Sequence, residues 1–117
     1  MTLKSDVSIA AIQKAVGHFR DARDWHQFHS PKNLSMSIAI EVAELMEHFQ
    51  WLTTEEAATL VQEDPEVKKA ITEELADVLI YCLSLADILG CDVAEIIFDK
   101  LVKNGEKYPV ETYRGRF

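Results

Sequence analysis

Residues 38–49 read IAIEVAELMEHF and residues 71–81 read ITEELADVLIY. Each stretch spaces its apolar side chains as a helix does, and each carries an acidic pair, Glu41 with Glu44 and Glu74 with Asp77. A spacing of three puts both carboxylates of a pair on one helix face. At about 100° per residue, Leu34, Ile38, Val42, Leu45, Phe49 and Leu52 cover one arc of roughly 80°. Ser37, Glu41, Glu44 and His48 form the next arc, with Ile40 and Trp51 beyond it. The acids are thus flanked by apolar residues on both sides, unlike an ordinary solvated stripe. The second stretch repeats the pattern, with Glu74, Asp77 and Tyr81 beside Ile71, Leu75, Val78, Cys82, Leu85 and Leu89.

Packed face to face, the two helices bring four carboxylates together. Unpaired buried carboxylates are too costly to keep charged. Lys32, Lys68 and Lys69 are the nearest candidates for salt bridges, but Lys68 and Lys69 fall mainly away from the Glu74/Asp77 arc. An oxygen-only donor set, Glu41, Glu44, Glu74 and Asp77, suits a hard ion, Mg²⁺ with Mn²⁺ as a substitute. His48, one turn past Glu44, is placed to support that set through a hydrogen bond.

Outward from these two helices the chain reads all-α, a bundle of four main helices, because no segment sustains period-two alternation. Ser5 or Asp6 caps a first helix bearing Val7, Ile9, Ile12, Val16 and Phe19 and ending near Asp24. Trp25–Asn33 reads as a loop, and Pro31 opens the second helix, which runs to about Trp51. Thr53-Thr-Glu-Glu56 is a capping box for a short helix. Asp64-Pro65 starts the third main helix and Gly90 ends it. Asp92-x-x-Glu95 opens the fourth, which fades before Pro109, and the tail 110–117 shows no periodicity. The expected domain is single, residues 1–117, with its core over about 5–109.

At 117 residues the chain holds one domain with a core. Its formal net charge of −8 argues against a nucleic-acid polymer as partner, which needs clustered cations. Nucleotides remain open, since a metal can carry phosphate charge. Two cysteines without a CxxC, and no apolar run of a signal peptide in Met1–Ser8, make a reducing cytoplasm the expectation. The longest apolar run, Val78–Leu83, is far too short for a membrane span. Cys82 and Phe28 are expected in the core.

A second constellation is aromatic: Trp25 and His29 in the first loop, Trp51 after the second helix, and Tyr81 one turn beyond Asp77. Such rings stack on planar bases, and His29 or Asn33 can supply polar contacts. His18 and His26 read as exposed. A third group, Lys100, Asn104, Lys107 and Tyr108, gathers near the end of the fourth helix. Cations there offset the helix dipole and also suit phosphate.

Arg23-Asp-Trp-x-Gln-Phe-His29, Pro31-x-Asn-Leu34, Glu41-Val-x-Glu-Leu45 and Phe49-Gln-Trp51 together resemble the MazG-like all-α nucleotide pyrophosphohydrolases, most closely the dCTP pyrophosphatase branch. Glu73-Glu-Leu-x-Asp-Val-Leu-Ile-Tyr81 and Lys100-x-x-x-Asn104-x-x-x-Tyr108-Pro109 extend the resemblance, which covers roughly residues 12–109. It implies Mg²⁺-dependent cleavage of a (deoxy)nucleoside triphosphate to the monophosphate and pyrophosphate. It implies metal on Glu41, Glu44, Glu74 and Asp77, and a base enclosed by Trp25, Trp51 and Tyr81. It also implies a dimer or dimer of dimers in which two chains complete each site. One departure stands out: some dCTP-hydrolysing relatives hold the base with a histidine where this chain has Val16.

The expected mechanism is electrostatic, with Glu41 or Glu44 as general base and Glu47 a weaker candidate. Lys100 and Lys107 are expected at the outgoing pyrophosphate. A dUTP- or damaged-nucleotide-preferring enzyme is the alternative. A di-iron bundle fits poorly, since neither acidic pair has histidine at its third position. A non-catalytic helical interaction protein has no use for clustered acids.

Overall fold

Five side-chain caps set the helix boundaries in the computed structural model, which describes residues 6–117. Ser8 Oγ accepts the Ala11 N–H at 3.1 Å and starts α1, Ile9–Ala22. The cap is thus Ser8 and not Asp6; Ser5 lies outside the described residues. Ser30 caps α2, Pro31–Glu47, by accepting the Asn33 N–H, with Pro31 in the first turn as expected. Thr53 and Glu56 exchange both bonds of the capping box, at 3.1 and 2.9 Å, and open α3, Thr54–Glu63. Asp64 Oδ1 accepts two N–H groups at the head of α4, Pro65–Ile88. Asp92 Oδ1 accepts the Glu95 N–H and opens α5, Val93–Lys107.

Gly90 closes α4 in the left-handed region, with φ of 66°. The Gly90 N–H donates to Asp87 and the Cys91 N–H to Ala86, the paired bonds of a Schellman motif. Two sequence boundaries shift. The second helix stops at Glu47 and continues only as turns through Trp51. The tail is partly helical: α6, Val110–Tyr113, returns the Tyr113 ring to 5.2 Å from that of Tyr108.

The described residues are all-helical apart from turns and loops, and none of their helices is long and apolar enough to cross a membrane. The long α4 is the shared element. α2 packs along it most extensively, α1 and α3 also lie on it, and α5 rests on α1.

This packing leaves little interior. Leu34 and Ala86 are the only buried hydrophobic side chains among the described residues. The accessible surface is 9474 Å², where a compact monomer of this mass exposes about 6,500 Å². The radius of gyration is 17.3 Å, against about 13 Å for a compact chain of this length. On α5, Ile96, Ile97, Phe98, Leu101 and Val102 are all exposed. Cys82 and Phe28, expected in the core, are exposed too. Cys82 faces an apolar groove between α1, α4 and α5, which α5 leaves open because it leans on α1.

Candidate active site

The packing of α2 on α4 decides where the acids go. It brings oxygens of Glu41, Glu44 and Glu74 within 4.8 Å of one another. Oε2 of Glu41 and Oε2 of Glu74 are shut off from water with no hydrogen-bond partner. Burial pushes the Glu41 carboxyl up to about 7, with Glu44 as partner for its proton and the charges of Glu44, Asp77 and Glu74 adding to the effect. Burial raises the Glu74 carboxyl as well, and the Glu44 charge reinforces it. Asp77 is near enough for its charge to act on both, although it stands outside the tight trio.

Among the described residues no lysine neutralises this cluster. Among the described residues the ion pairs are those of Arg20, so Lys32, Lys68 and Lys69 do not play the role open to them in sequence. Crowded carboxylates with buried, partnerless oxygens and no cation fit a hard divalent ion that the trio and Asp77 would hold. His48 caps the end of α2, half-buried.

Asp77 also lines a chamber of about 220 Å³ between α1, α4 and the first loop. Its other walls are Val16, Phe19, Arg20, Trp25, His29, Ile80, Tyr81 and Ser84. The loop is shorter than the sequence suggested, because His26–Phe28 winds into a 3₁₀ turn. Asp24, at φ 54°, makes the reversal that lets Trp25 turn back. Trp25 packs edge-on to Phe19 at 5.9 Å, and the His29 ring stands 6.3 Å from both Trp25 and Tyr81. The acids and the aromatic chamber therefore adjoin, joined through Asp77.

His29 Nδ1 is buried and has no partner. Burial, helped by the Arg20 and His26 charges, lowers the imidazole pKa from its ordinary value and so favours the neutral ring. Asn33 does not line the chamber; its side chain donates to the Phe28 carbonyl at 3.0 Å and ties the loop to α2. Trp51 also lies apart, 86% exposed. Lys100, Asn104, Lys107 and Tyr108 belong to the far end of α5, where Lys107 Nζ sits 5.2 Å from the Tyr108 ring. None of the four lines the chamber or joins the acid trio. His18 and His26 are exposed, as expected.

Arg20 is the residue that sequence reasoning missed. It is 5% exposed, a buried cation in a half-open molecule. Its Nε donates to Asp21 at 3.0 Å and its Nη2 to Asp87 at 2.9 Å, while Nη1 is buried with no partner. A signal existed: Arg20 follows Val16 by four residues, on the row of the first helix that carries apolar side chains.

The MazG-like family model matches residues 36–116. The chain is 36% identical over 114 residues to dCTP pyrophosphatase 1 of Bos taurus, covering 97% of this chain and 67% of that protein. It is 38% identical over 104 residues to dCTP pyrophosphatase 1 of Homo sapiens, covering 89% of this chain and 61% of that one. The chain thus spans about two thirds or less of the length of these curated relatives. A crystal structure of a pyrophosphatase from Archaeoglobus fulgidus superposes with a TM-score of 0.80 at 38% identity, over 93% of this chain and 99% of that one. The all-helical fold agrees with these likenesses, and the chain belongs to the MazG-like family of nucleoside triphosphate pyrophosphohydrolases.

Proposed function

We propose that this chain hydrolyses a deoxynucleoside triphosphate, dCTP or a 5-substituted dCTP before others, to the monophosphate and pyrophosphate in a Mg²⁺-dependent reaction. The observation that carries this reading is the meeting of Glu41, Glu44 and Glu74, without a cation, beside a small aromatic chamber that shares Asp77. The names of the relatives support the same substrate class.

When bound, Mg²⁺ supplies positive charge for the triphosphate and for the charge that develops on its oxygens. Glu41, Glu44, Glu74 and Asp77 would hold it. Glu41 or Glu44 takes a proton from the attacking water. The water oxygen bonds to phosphorus, the anhydride bond between the α and β phosphates breaks, and pyrophosphate leaves. Trp25, His29 and Tyr81 enclose the base and exclude water from it. Mn²⁺ substitutes for Mg²⁺ because both accept an oxygen-only donor set.

The site is completed between chains in this reading. A surface about 3,000 Å² larger than a compact monomer's is what a homodimer or dimer of dimers would cover. The four main helices then close into a bundle with those of a second copy. Trp51, Lys100, Asn104, Lys107 and Tyr108, which lie away from their own chamber, are offered to the neighbour's base and pyrophosphate. A cytoplasmic location accords with a free-nucleotide substrate.

A panel of nucleoside triphosphates with Mg²⁺, scored for pyrophosphate against orthophosphate, tests the reading. Pyrophosphate release from deoxynucleotides is expected. Orthophosphate as the only product, or no turnover of any triphosphate, overturns it. A dUTP preference in the same panel would select the alternative substrate within the same chemistry.

A further inference from the structure

We infer that Arg20 reads the base, its Nη1 donating to a ring acceptor of a nucleobase seated in the chamber. The inference rests on the nucleotide reading and names the residue that discriminates within it. Two of the three guanidinium nitrogens are already committed, Nε to Asp21 and Nη2 to Asp87. These bonds fix the plane of the group and balance its charge. The third nitrogen, Nη1, is buried, lacks a partner and belongs to a side chain that lines the chamber. Native proteins rarely leave a buried donor unsatisfied; ordered water resolves many such cases, and at the wall of a chamber a bound ligand's acceptor does the same.

A purely structural arginine accounts for two of these facts and not the third. The other orphaned nitrogen of the chamber, His29 Nδ1, lies on the opposite element, the loop that closes it. Trp25, 42% exposed, is the wall that solvent reaches, and Val16 lines the chamber without a polar group of its own.

Arginine is donor-only, so its choice among bases has a sign. Cytosine presents two acceptors, its ring N3 and O2, beside an amino group. Uracil and thymine place an N–H at the same ring position, where a second donor meets it badly. A site that hydrogen-bonds one edge rejects the edge that leaves its buried groups unpaired. Arg20 therefore favours cytosine and 5-substituted cytosines over uracil, a role that Val16 on the same helix cannot perform.

The test compares dCTP and dUTP hydrolysis by wild type and Arg20→Gln, with Asp87→Asn as a control for loss of the ion pair alone. Arg20→Gln is expected to raise KM for dCTP and to lower the dCTP/dUTP ratio of kcat/KM by at least about tenfold, with kcat little changed. Asp87→Asn is expected to keep most of that ratio. An unchanged ratio in folded Arg20→Gln overturns the assignment. Should Arg20→Gln fail to fold, the ¹⁵N side-chain resonances of Arg20 in the wild-type protein decide instead, titrated with dCMP and dUMP without metal. A shift with dCMP that exceeds the shift with dUMP upholds the inference, and no shift up to millimolar dCMP overturns it. This binding readout is independent of turnover, so a protein that hydrolyses no triphosphate would cost the nucleotide reading while the resonances still judge Arg20.

Discussion

Glu41 on α2 and Glu74 on α4 bring carboxylate oxygens within 4.8 Å across the helix interface, and each keeps its Oε2 buried without a partner. In a protein whose interior is otherwise so thin, this is an expensive place for two acids. Repulsion and lost hydration both oppose their charged forms. Replacing either acid with an amide removes the repulsion and keeps the shape.

Glu41→Gln, Glu44→Gln, Glu74→Gln and Asp77→Asn are each expected to lower pyrophosphate release by at least a hundredfold, on the order of 3 kcal/mol of transition-state stabilisation. In metal-free buffer their melting temperatures are expected to equal or exceed that of the wild type. Near-normal turnover in any two of the four would remove the proposed site.

The raised carboxyl of Glu41 gives a pH signature. Its folded value of about 7 exceeds the ordinary 4.5, so between those values the folded state binds more protons than the unfolded state. Metal-free stability from this group therefore falls as pH rises from about 4.5 to 7. Glu74 acts in the same direction. His29, shifted down, acts oppositely near neutrality. Melting curves in EDTA from pH 5 to 8, wild type against Glu41→Gln, isolate the Glu41 contribution. The downward slope is expected to weaken in the variant and to be offset in the wild type by Mg²⁺, which favours the charged carboxylates. Identical profiles for the two proteins would refute the coupling.

Trp25 lines the chamber of its own chain, and Trp51, which does not, is proposed to serve the site of a second copy. Trp25→Ala is expected to raise KM by about 5- to 150-fold, the loss of a stacked base worth about 1–3 kcal/mol. Trp51→Ala is expected to raise KM and weaken base discrimination only through the assembled site, leaving metal affinity unchanged. If Trp51→Ala matches the wild type in kcat/KM for every base, Trp51 has no part in the site. Isothermal titration with Mg²⁺ checks the metal term.

Light scattering at micromolar concentration is expected to show a dimer or tetramer. Phe98→Asp, on the exposed face of α5, is expected to shift the population towards smaller species. A wild-type monomer across the micromolar range would refute the assembly.

Helix identity was legible because its signals are local. Pro31, Thr53 with Glu56, Asp64-Pro65, Gly90 and Asp92 announced their boundaries in the order the structure uses them. The start of α1 was missed because Ser5, Asp6 and Ser8 are all good caps and only packing chooses among them. The convergence of Glu41, Glu44 and Glu74 followed from matching wheels on two apolar helices. Arg20 was missed although it follows Val16 on the apolar row, since a lone arginine on an amphipathic helix reads as solvated until Asp87, 67 positions away, is seen to hold it. Cys82 and Phe28 misled for the opposite reason: hydropathy marks apolar side chains, without saying that the packing of their own chain covers them.

The apolar faces left open on α4 and α5 carry a kinetic meaning as well. If the proposed dimer forms, a core finished by a second copy assembles in a second-order process, and its half-life depends on how many copies are present. Dilution would then act as a denaturant. A substitution on the far side of α5 could silence the enzyme without touching an acid or a ring, simply by lowering the fraction of chains that find one another.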